Sequence, residues 1–201
     1  FRLSPTFSQY TSWQRPRQSA RAVLDVPPNV YLLGTIARLD PVKRIERLIE
    51  AMTYLPEAHL AIIGDGPERG VLEAVTKARG LGERVHFIGA ISNAATYLRA
   101  FDVFVSASSR EGMPLALLEA MACGLPVLVS DIPAHIAVLG KSLQVSDDLV
   151  RMARWFQDTE MRGLWGATNR DHARRFDARS MVERTAAVYR SVTGAITQSL
   201  I

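Results

Sequence analysis

The sequence predicts a doubly wound α/β domain with a mostly parallel sheet of about six strands and C-terminal helices. Short apolar runs alternate along the chain with segments whose apolar residues recur at helical spacing. This alternation is typical of βαβ units, in which helices cover both faces of a parallel sheet. The chain has 201 residues, 48% hydrophobic and 22% charged, so it can bury a substantial core.

The first half of the chain supplies three strand–helix pairs. A polar, aperiodic stretch at 1–21, which we interpret as a linker or arm with a short helix at 18–24, leads into a turn rich in proline. Apolar runs predict strands at 30–37, 59–63 and 85–88. Apolar residues spaced by three or four predict helices at 44–54, 68–79 and 93–100, and Gly80 closes the second helix.

The second half continues the pattern and then becomes helical. Strands are predicted at 103–107 and 127–130, with a last short strand at 143–145. Helices are predicted at 113–123, 147–157, 160–172 and 178–193. Pro114 suits the first turn of a helix, and Gly124 suits its left-handed end. The predicted domain therefore spans 22–193 and leaves a tail at 194–201.

Composition limits the class of protein. The single cysteine, Cys123, excludes an internal disulfide, and its apolar surroundings favour a buried structural role over that of a nucleophile. No apolar run reaches the roughly 18 residues of a membrane-spanning helix and no signal peptide is visible, so we expect a cytoplasmic protein. The net charge of +4 favours an anionic ligand or membrane surface but is too small to indicate nucleic acid.

One loop and the helix after it carry unusually placed acids. Glu111 lies just before a predicted helix N-terminus, whose free N–H groups favour anions, and Glu119 is the only charge in the run 113–123. Backbone amides that can bind a phosphate, together with two carboxylates that can accept hydrogen bonds from hydroxyl groups, indicate a sugar nucleotide as the ligand. The alternative is that Glu111 only caps the helix and Glu119 only reaches its solvent-exposed edge.

Two cations lie in the loop after the first strand. Arg38 offers a planar fork for phosphate oxygens, and Lys43, five residues later, offers a point charge. Ligands bind outside the carboxyl ends of parallel strands. We therefore expect this loop and the loop of Glu111 to meet at one edge of the sheet.

Other motifs carry less weight. The turn at 64–70 resembles a dinucleotide fingerprint, but its third glycine comes one residue late, so we interpret it as a structural turn. Residues 140–142 resemble the end of a P-loop, but His135 stands where that motif needs a glycine. Of the four histidines only His135 lies near the proposed cleft, and their spacing matches no metal site.

Four of these segments resemble the donor-binding half of retaining glycosyltransferases of the GT-B architecture, which has two Rossmann-like domains. Within that group the likeness is to the large group 1 family that makes lipopolysaccharide, capsule and glycolipids. It covers about residues 21–189 and rests on Ala-Arg…Lys at 37–43, Ile-Ile-Gly-Asp-Gly-Pro-Glu-Arg at 62–69, Arg-Val-His-Phe-Ile-Gly at 84–89 and, above all, Glu-Gly-Met-Pro…Glu-Ala-Met-Ala-Cys-Gly-Leu-Pro-Val at 111–127.

The resemblance implies a role for each candidate residue. Arg38, Lys43 and Glu111 would be the catalytic residues: the two cations would hold the donor diphosphate, and the acid would bind a hydroxyl of the transferred sugar. Glu119 would bind the ribose. Backbone groups would complete the donor site, around Gly112, Met113, Pro114 and Leu115 for the diphosphate and around Ile88, Gly89 and Ala90 for the base. Transfer would proceed with retention and without a metal or other cofactor, because fixed cations stabilise the leaving group.

The sequence departs from the family pattern in several places. Ala37 and Arg44 stand where glycine is usual, and Ala137 lies where a glutamate is often found. Since residues 1–21 are too few to form the N-terminal acceptor domain of the family and the chain begins with Phe1, we expect that domain to be missing from this chain. We therefore expect a piece of a longer protein that binds a nucleotide sugar, lacks substantial transferase activity alone, and belongs to an enzyme that associates peripherally with the membrane.

Two other functions are compatible with the same residues. Half of a nucleotide-sugar epimerase would also bind the nucleotide, although it needs acid and base side chains at the sugar. A non-catalytic nucleotide-binding or partner-binding module would need no chemistry at all. The sugar, the base and the acceptor are not specified by these motifs.

Overall fold

The computed structural model describes residues 14–140, 142 and 144–176, and in this part of the chain five strands form one parallel sheet. The strands are β1 (Tyr31–Ile36), β2 (Ala58–Ile63), β3 (Val85–Gly89), β4 (Val103–Ser106) and β5 (Val127–Val129). They lie in the order β3-β2-β1-β4-β5, and every pairing is parallel. The order reverses between β1 and β4, where crevices for ligands form in such sheets.

Helices connect the strands and cover both faces of the sheet. The α-helices are α1 (Arg17–Val23), α2 (Ile45–Ala51), α3 (Arg69–Ala78), α4 (Leu115–Ala122), α5 (Pro133–Leu139), α6 (Leu149–Trp155) and α7 (Thr159–Ala173). Short 3-10 helices are formed by Pro41–Lys43, Met52–Tyr54, Ala94–Ala100 and Arg174–Phe176. No helix among the described residues is long and apolar enough to cross a membrane.

The predicted α/β class and parallel sheet are confirmed, with differences at individual elements. The predicted sixth strand is a single parallel bridge between Val129 and Val145. Helix α4 begins two residues later than predicted, at Leu115, because Pro114 has φ −81° and ψ 71°, outside the helical region. The predicted helix at 93–100 is a 3-10 helix. The predicted helix at 178–193 and the tail lie outside the described residues.

The core consists of two apolar layers, one on each face of the sheet. Alternate residues of a strand point to opposite faces, so Leu33 packs with Ile49 of α2 on one side and Leu32 packs with Met121 of α4 on the other. Helices α2, α3 and α6 cover the first face, and α1, α4 and α5 cover the second. The loops after β1 and β4 are thereby held at the carboxyl edge of the sheet.

Asp102, which is 8% exposed, connects helix α1 to the sheet through hydrogen bonds. This carboxylate accepts hydrogen bonds from Arg17 at 2.8 Å, Arg21 at 2.9 Å and the backbone N–H of Leu32 in β1 at 2.8 Å. Arg21 is fully buried and also donates to backbone carbonyls that include that of Ala100, at 2.9 Å. Helix α1 therefore packs with the domain and straddles the predicted boundary between the arm and the domain.

Candidate functional site

A cavity of about 510 Å³ opens at the carboxyl ends of β1 and β4, where the strand order reverses. The loop after β1 contributes Arg38 and Lys43, and the loop after β4 contributes Ser108 and Glu111. The remaining walls come from the loops after β2 and β3, from the segment leading into α4 together with the first residue of that helix, and from the start of α5. The residues that line these walls include Gly64, Asp65, Ala90, Met113, Pro114, Leu115 and His135. The predicted convergence of the two loops is thus present.

Lys43 and Glu111 form an ion pair inside this cavity. The Lys43 ammonium donates to both carboxylate oxygens of Glu111, at 2.7 and 2.8 Å, and Ser108 donates to one of them at 2.7 Å. The two charged side chains are only 21% and 14% exposed. Because an ammonium has three N–H donors, one donor of Lys43 remains for a ligand oxygen.

Arg38 stands at the rim of the cavity. Its side chain is 73% exposed, and its nearest charge is Asp40 at 3.7 Å, beyond ordinary hydrogen-bond distance. An exposed guanidinium of this kind can turn its fork of N–H groups toward a phosphate at little cost. Both predicted cations therefore lie at this cavity, but Lys43 is paired with Glu111 whereas Arg38 is exposed to solvent.

The turn after β2 shapes the loop that carries Arg38. A Cβ atom on Gly64, whose φ is +141°, would overlap the carbonyl oxygen of Ala37. The backbone N–H of Leu39 donates to the carbonyl of Asp65 at 3.0 Å. This close packing agrees with a structural turn, and it fixes the backbone on both sides of Arg38.

The segment before α4 forms one wall of the cavity through Met113, Pro114 and Leu115. The backbone N–H of Leu115 donates to the carbonyl of Met113 at 2.9 Å, so this predicted phosphate donor already has a partner. The side chains of Met113 and Leu115 are about half exposed, which gives this wall an apolar surface.

Four predicted donor-binding residues do not line the cavity: Ile88, Gly89, Gly112 and Glu119. Glu119 is half-buried on α4, one helical turn beyond Leu115 and on the same face. Gly89 has φ +81°, and its carbonyl accepts from the N–H of Gly64 at 2.8 Å. Of the segment predicted to meet a base, Ala90 alone reaches the cavity wall.

Several functional groups of the site were not predicted from the sequence. Ser108 orients Glu111, and Ser106 lies beside it with the two hydroxyl oxygens 3.2 Å apart. Asp65 also lines the cavity. A serine three residues before an acid in a loop is too common a pattern to single out, so only the geometry reveals these roles.

His135 lies in the cavity wall and is fully buried. Its Nδ1 lies 2.9 Å from the carbonyl oxygen of Ser130, while its Nε2 has no hydrogen-bond partner in the described part of the chain. Burial lowers the pKa of this imidazole, against a smaller opposing effect of its bond to Ser130. The ring is therefore neutral at neutral pH.

The cavity thus combines donors for an anion with acceptors for hydroxyl groups. No cluster of three or more histidine, cysteine or acidic side chains that could hold a metal occurs within the described ranges. A family model described as glycosyl transferases group 1 matches residues 16–142, more than half of the chain. The chain belongs to the group 1 glycosyl transferases.

Relatives in this family have names from cell-surface polysaccharide synthesis. The chain is 33% identical over 120 residues to the O-antigen biosynthesis glycosyltransferase WclY of Escherichia coli, a match that covers 60% of this chain and 34% of WclY. It is 36% identical over 121 residues to the lipopolysaccharide core biosynthesis glycosyltransferase LpsE of Rhizobium meliloti, covering 60% and 36%. The matched segments therefore span only about a third of these relatives.

A solved glycosyltransferase-fold structure superposes on nearly the whole chain. Anabaena Alr3699/HepE, crystallised with UDP and glucose, matches with a TM-score of 0.81 at 22% identity, over 94% of this chain and 55% of HepE. This likeness confirms the Rossmann-like fold of a GT-B domain predicted for the group 1 family. The chain therefore matches only about half the length of HepE.

Proposed function

We propose that this chain is the donor-binding half of a retaining glycosyltransferase. The enzyme would move a sugar from a nucleotide-diphosphate sugar to a hydroxyl acceptor in the synthesis of a cell-surface polysaccharide or glycolipid. The observation that carries the proposal is the meeting of Lys43 and Glu111 in a cavity at the strand-order reversal, with Arg38 at its rim. Ligands of parallel sheets bind at this position.

In the proposed mechanism the cations act on the leaving group. The remaining N–H of Lys43 and the fork of Arg38 donate to diphosphate oxygens and stabilise the negative charge that grows as the glycosidic bond breaks. Fixed cations in this position would replace a metal ion. The acceptor hydroxyl would attack from the same face as the leaving group, which gives retention.

The acids bind hydroxyl groups in this proposal. Glu111 accepts from a hydroxyl of the transferred sugar, in exchange for part of its contact with Lys43. Glu119, one turn further along α4, accepts from the ribose, and the backbone of Ile88, Gly89 and Ala90 faces the base. The donor would therefore extend from the cavity along α4, beyond the residues that line it.

The relatives support the class of donor and the role of a half-enzyme. HepE was crystallised with UDP and glucose and also with UDP-glucose, and this chain matches about half of its length. We propose that the acceptor site belongs to another domain, that the chain alone binds the donor without substantial transfer, and that the complete enzyme works at the cytoplasmic face of a membrane.

Isothermal calorimetry on the 201-residue chain tests the donor site. UDP-glucose, GDP-mannose and ADP-glucose are titrated into the wild type, Lys43→Met and Arg44→Gln, a control that removes the same charge from the next residue. We expect one donor to bind the wild type and Arg44→Gln alike, and Lys43→Met to bind at least about tenfold more weakly. Equal binding by all three proteins, or no binding by the wild type, contradicts the proposal.

Product analysis distinguishes the proposed transfer from epimerisation. The chain is supplied with the donor it binds, and the products are followed by nuclear magnetic resonance. Release of an epimerised nucleotide sugar would overturn the transferase proposal. Efficient transfer to an added acceptor would overturn the prediction that the chain alone lacks substantial activity.

A further inference from the structure

His135 is held in one tautomer by its backbone contact. The ring lies in the first turn of α5, with Nδ1 2.9 Å from the carbonyl oxygen of Ser130. A carbonyl oxygen can only accept, so Nδ1 carries the hydrogen and donates it. In the neutral ring Nε2 is then left with a lone pair and acts only as an acceptor.

This acceptor has no partner in the described part of the chain. Nε2 has almost no surface open to water, and the ring to which it belongs lines the cavity of Lys43 and Glu111. Buried polar groups in native proteins are nearly always hydrogen-bonded, so an exception requires an explanation. Because Nδ1 faces the backbone of Ser130, Nε2 lies on the other side of the ring, away from that contact.

The chemistry of the lone pair restricts what can bind to it. Phosphate oxygens of a diphosphate also act as acceptors, so they gain nothing from Nε2. A hydroxyl group can donate to it, whereas the carboxylate of Glu111 is already occupied by Lys43 and Ser108. The ribose and the base also carry donors, but the proposed binding mode places them at Glu119 and at residues 88–90. The matching group is therefore a hydroxyl of the transferred sugar.

We propose that Nε2 of His135 accepts a hydrogen bond from one hydroxyl of the transferred sugar, and that His135 thereby selects donors that carry this hydroxyl. The proposal rests on the donor-binding function described above. Because Nε2 has almost no open surface, the hydroxyl reaches it when the incoming donor shifts side chains of the cavity wall. A purely structural histidine would need only its Nδ1 contact.

Two substitutions separate these roles. The amide of His135→Asn can replace Nδ1–H toward Ser130 but offers nothing at the position of Nε2. The longer amide of His135→Gln can place its oxygen near the position of Nε2 but loses the contact to Ser130. If His135 binds the ligand, His135→Asn should reduce the discrimination between sugars. If His135 is only structural, His135→Gln should reduce the stability of the domain, and neither variant should change the discrimination.

The experiment measures Kd by calorimetry for UDP, UDP-glucose and its 2-, 3-, 4- and 6-deoxy analogues. If the wild type prefers GDP-mannose, GDP and the corresponding mannose series are used. We expect the wild type to bind two deoxy analogues about tenfold more weakly than the parent, one that lacks the hydroxyl bound by His135 and one that lacks the hydroxyl bound by Glu111. His135→Asn should bind one of these two analogues as tightly as the parent, His135→Gln should keep both preferences, and the affinity for the free nucleotide should stay unchanged.

Three results would overturn the proposal, and they differ in what they leave standing. Undiminished discrimination in His135→Asn against every analogue that the wild type disfavours, or a wild type that binds every deoxy analogue as tightly as the parent, removes the role of His135 but retains the donor site. Absence of nucleotide binding by the wild type removes the donor site itself. Thermal melting of each variant shows that a change in Kd does not reflect unfolding.

Discussion

Replacing Asp102 by alanine should destabilise the domain strongly without touching the cavity. The change removes the acceptor of Arg17, Arg21 and the N–H of Leu32, and it leaves the buried guanidinium of Arg21 with neutral carbonyl partners only. Removing one partner of a buried ion pair costs about 3–5 kcal/mol. For a chain of this length each kcal/mol lowers the Tm by about 2–4 °C, so we expect a loss of about 6–20 °C.

The measurements are thermal unfolding and urea unfolding, both followed by far-ultraviolet circular dichroism, with Arg17→Ala as the matched control. Arg17 bonds to the same carboxylate, but its side chain is 44% exposed, so its removal should cost no more than about 1 kcal/mol. A variant of Asp102 that loses no more stability than the control would refute the reasoning. It would mean that α1 contributes little to the stability of the domain.

Three further predictions concern the loops and the edge of the sheet. Gly64→Ala should lower stability by about 2 kcal/mol or more and weaken nucleotide binding, because its Cβ would overlap Ala37 and displace the Arg38 loop. Arg44 has φ +48°, so Arg44→Gly should raise the free energy of unfolding by up to about 1 kcal/mol. Burial lowers the pKa of both His59 and His86 in the folded protein, so these histidines bind protons at a higher pH in the unfolded chain than in the folded one. The free energy of unfolding should therefore fall as the pH drops below about 7.

Each of these predictions has a simple check. Gly70→Ala, where a Cβ would meet open space, should leave stability and binding nearly unchanged, and an equal loss in both glycine variants would contradict the account of the turn. A loss of stability in Arg44→Gly would show that the left-handed backbone is not strained. Urea midpoints at pH 7.5 and 5.5 should differ less in His86→Asn than in the wild type, because one group of lowered pKa is gone.

The convergence of charged residues was predictable because it depends on topology. Arg38, Lys43 and Glu111 follow apolar runs that must be parallel strands, and parallel strands bring their carboxyl ends to one edge. The element boundaries were less predictable. Pro114 suits the first helical turn by its ring geometry, yet here it precedes the helix, with a ψ of 71° that is outside the helical region.

The pairing of Lys43 with Glu111 and the lone nitrogen of His135 could not have been predicted. The two charged residues are 68 positions apart, and each was expected to face a ligand, so their contact depends on how closely the loops approach. The state of His135 depends on which of its nitrogens meets the backbone of Ser130, a matter of ring packing. Sequence patterns identify residue types at an edge, whereas hydrogen-bond partners follow from atomic positions.

The contact between Lys43 and Glu111 has a consequence for how an empty site treats small solutes. Inorganic phosphate can bind the remaining N–H of Lys43, whereas a free sugar that binds Glu111 replaces part of the ammonium contact and offers the ammonium no anion in return. Only a molecule that carries both an anion and a nearby hydroxyl compensates the two charges together. Mutual neutralisation at rest would therefore favour binding of the conjugate over binding of a free sugar.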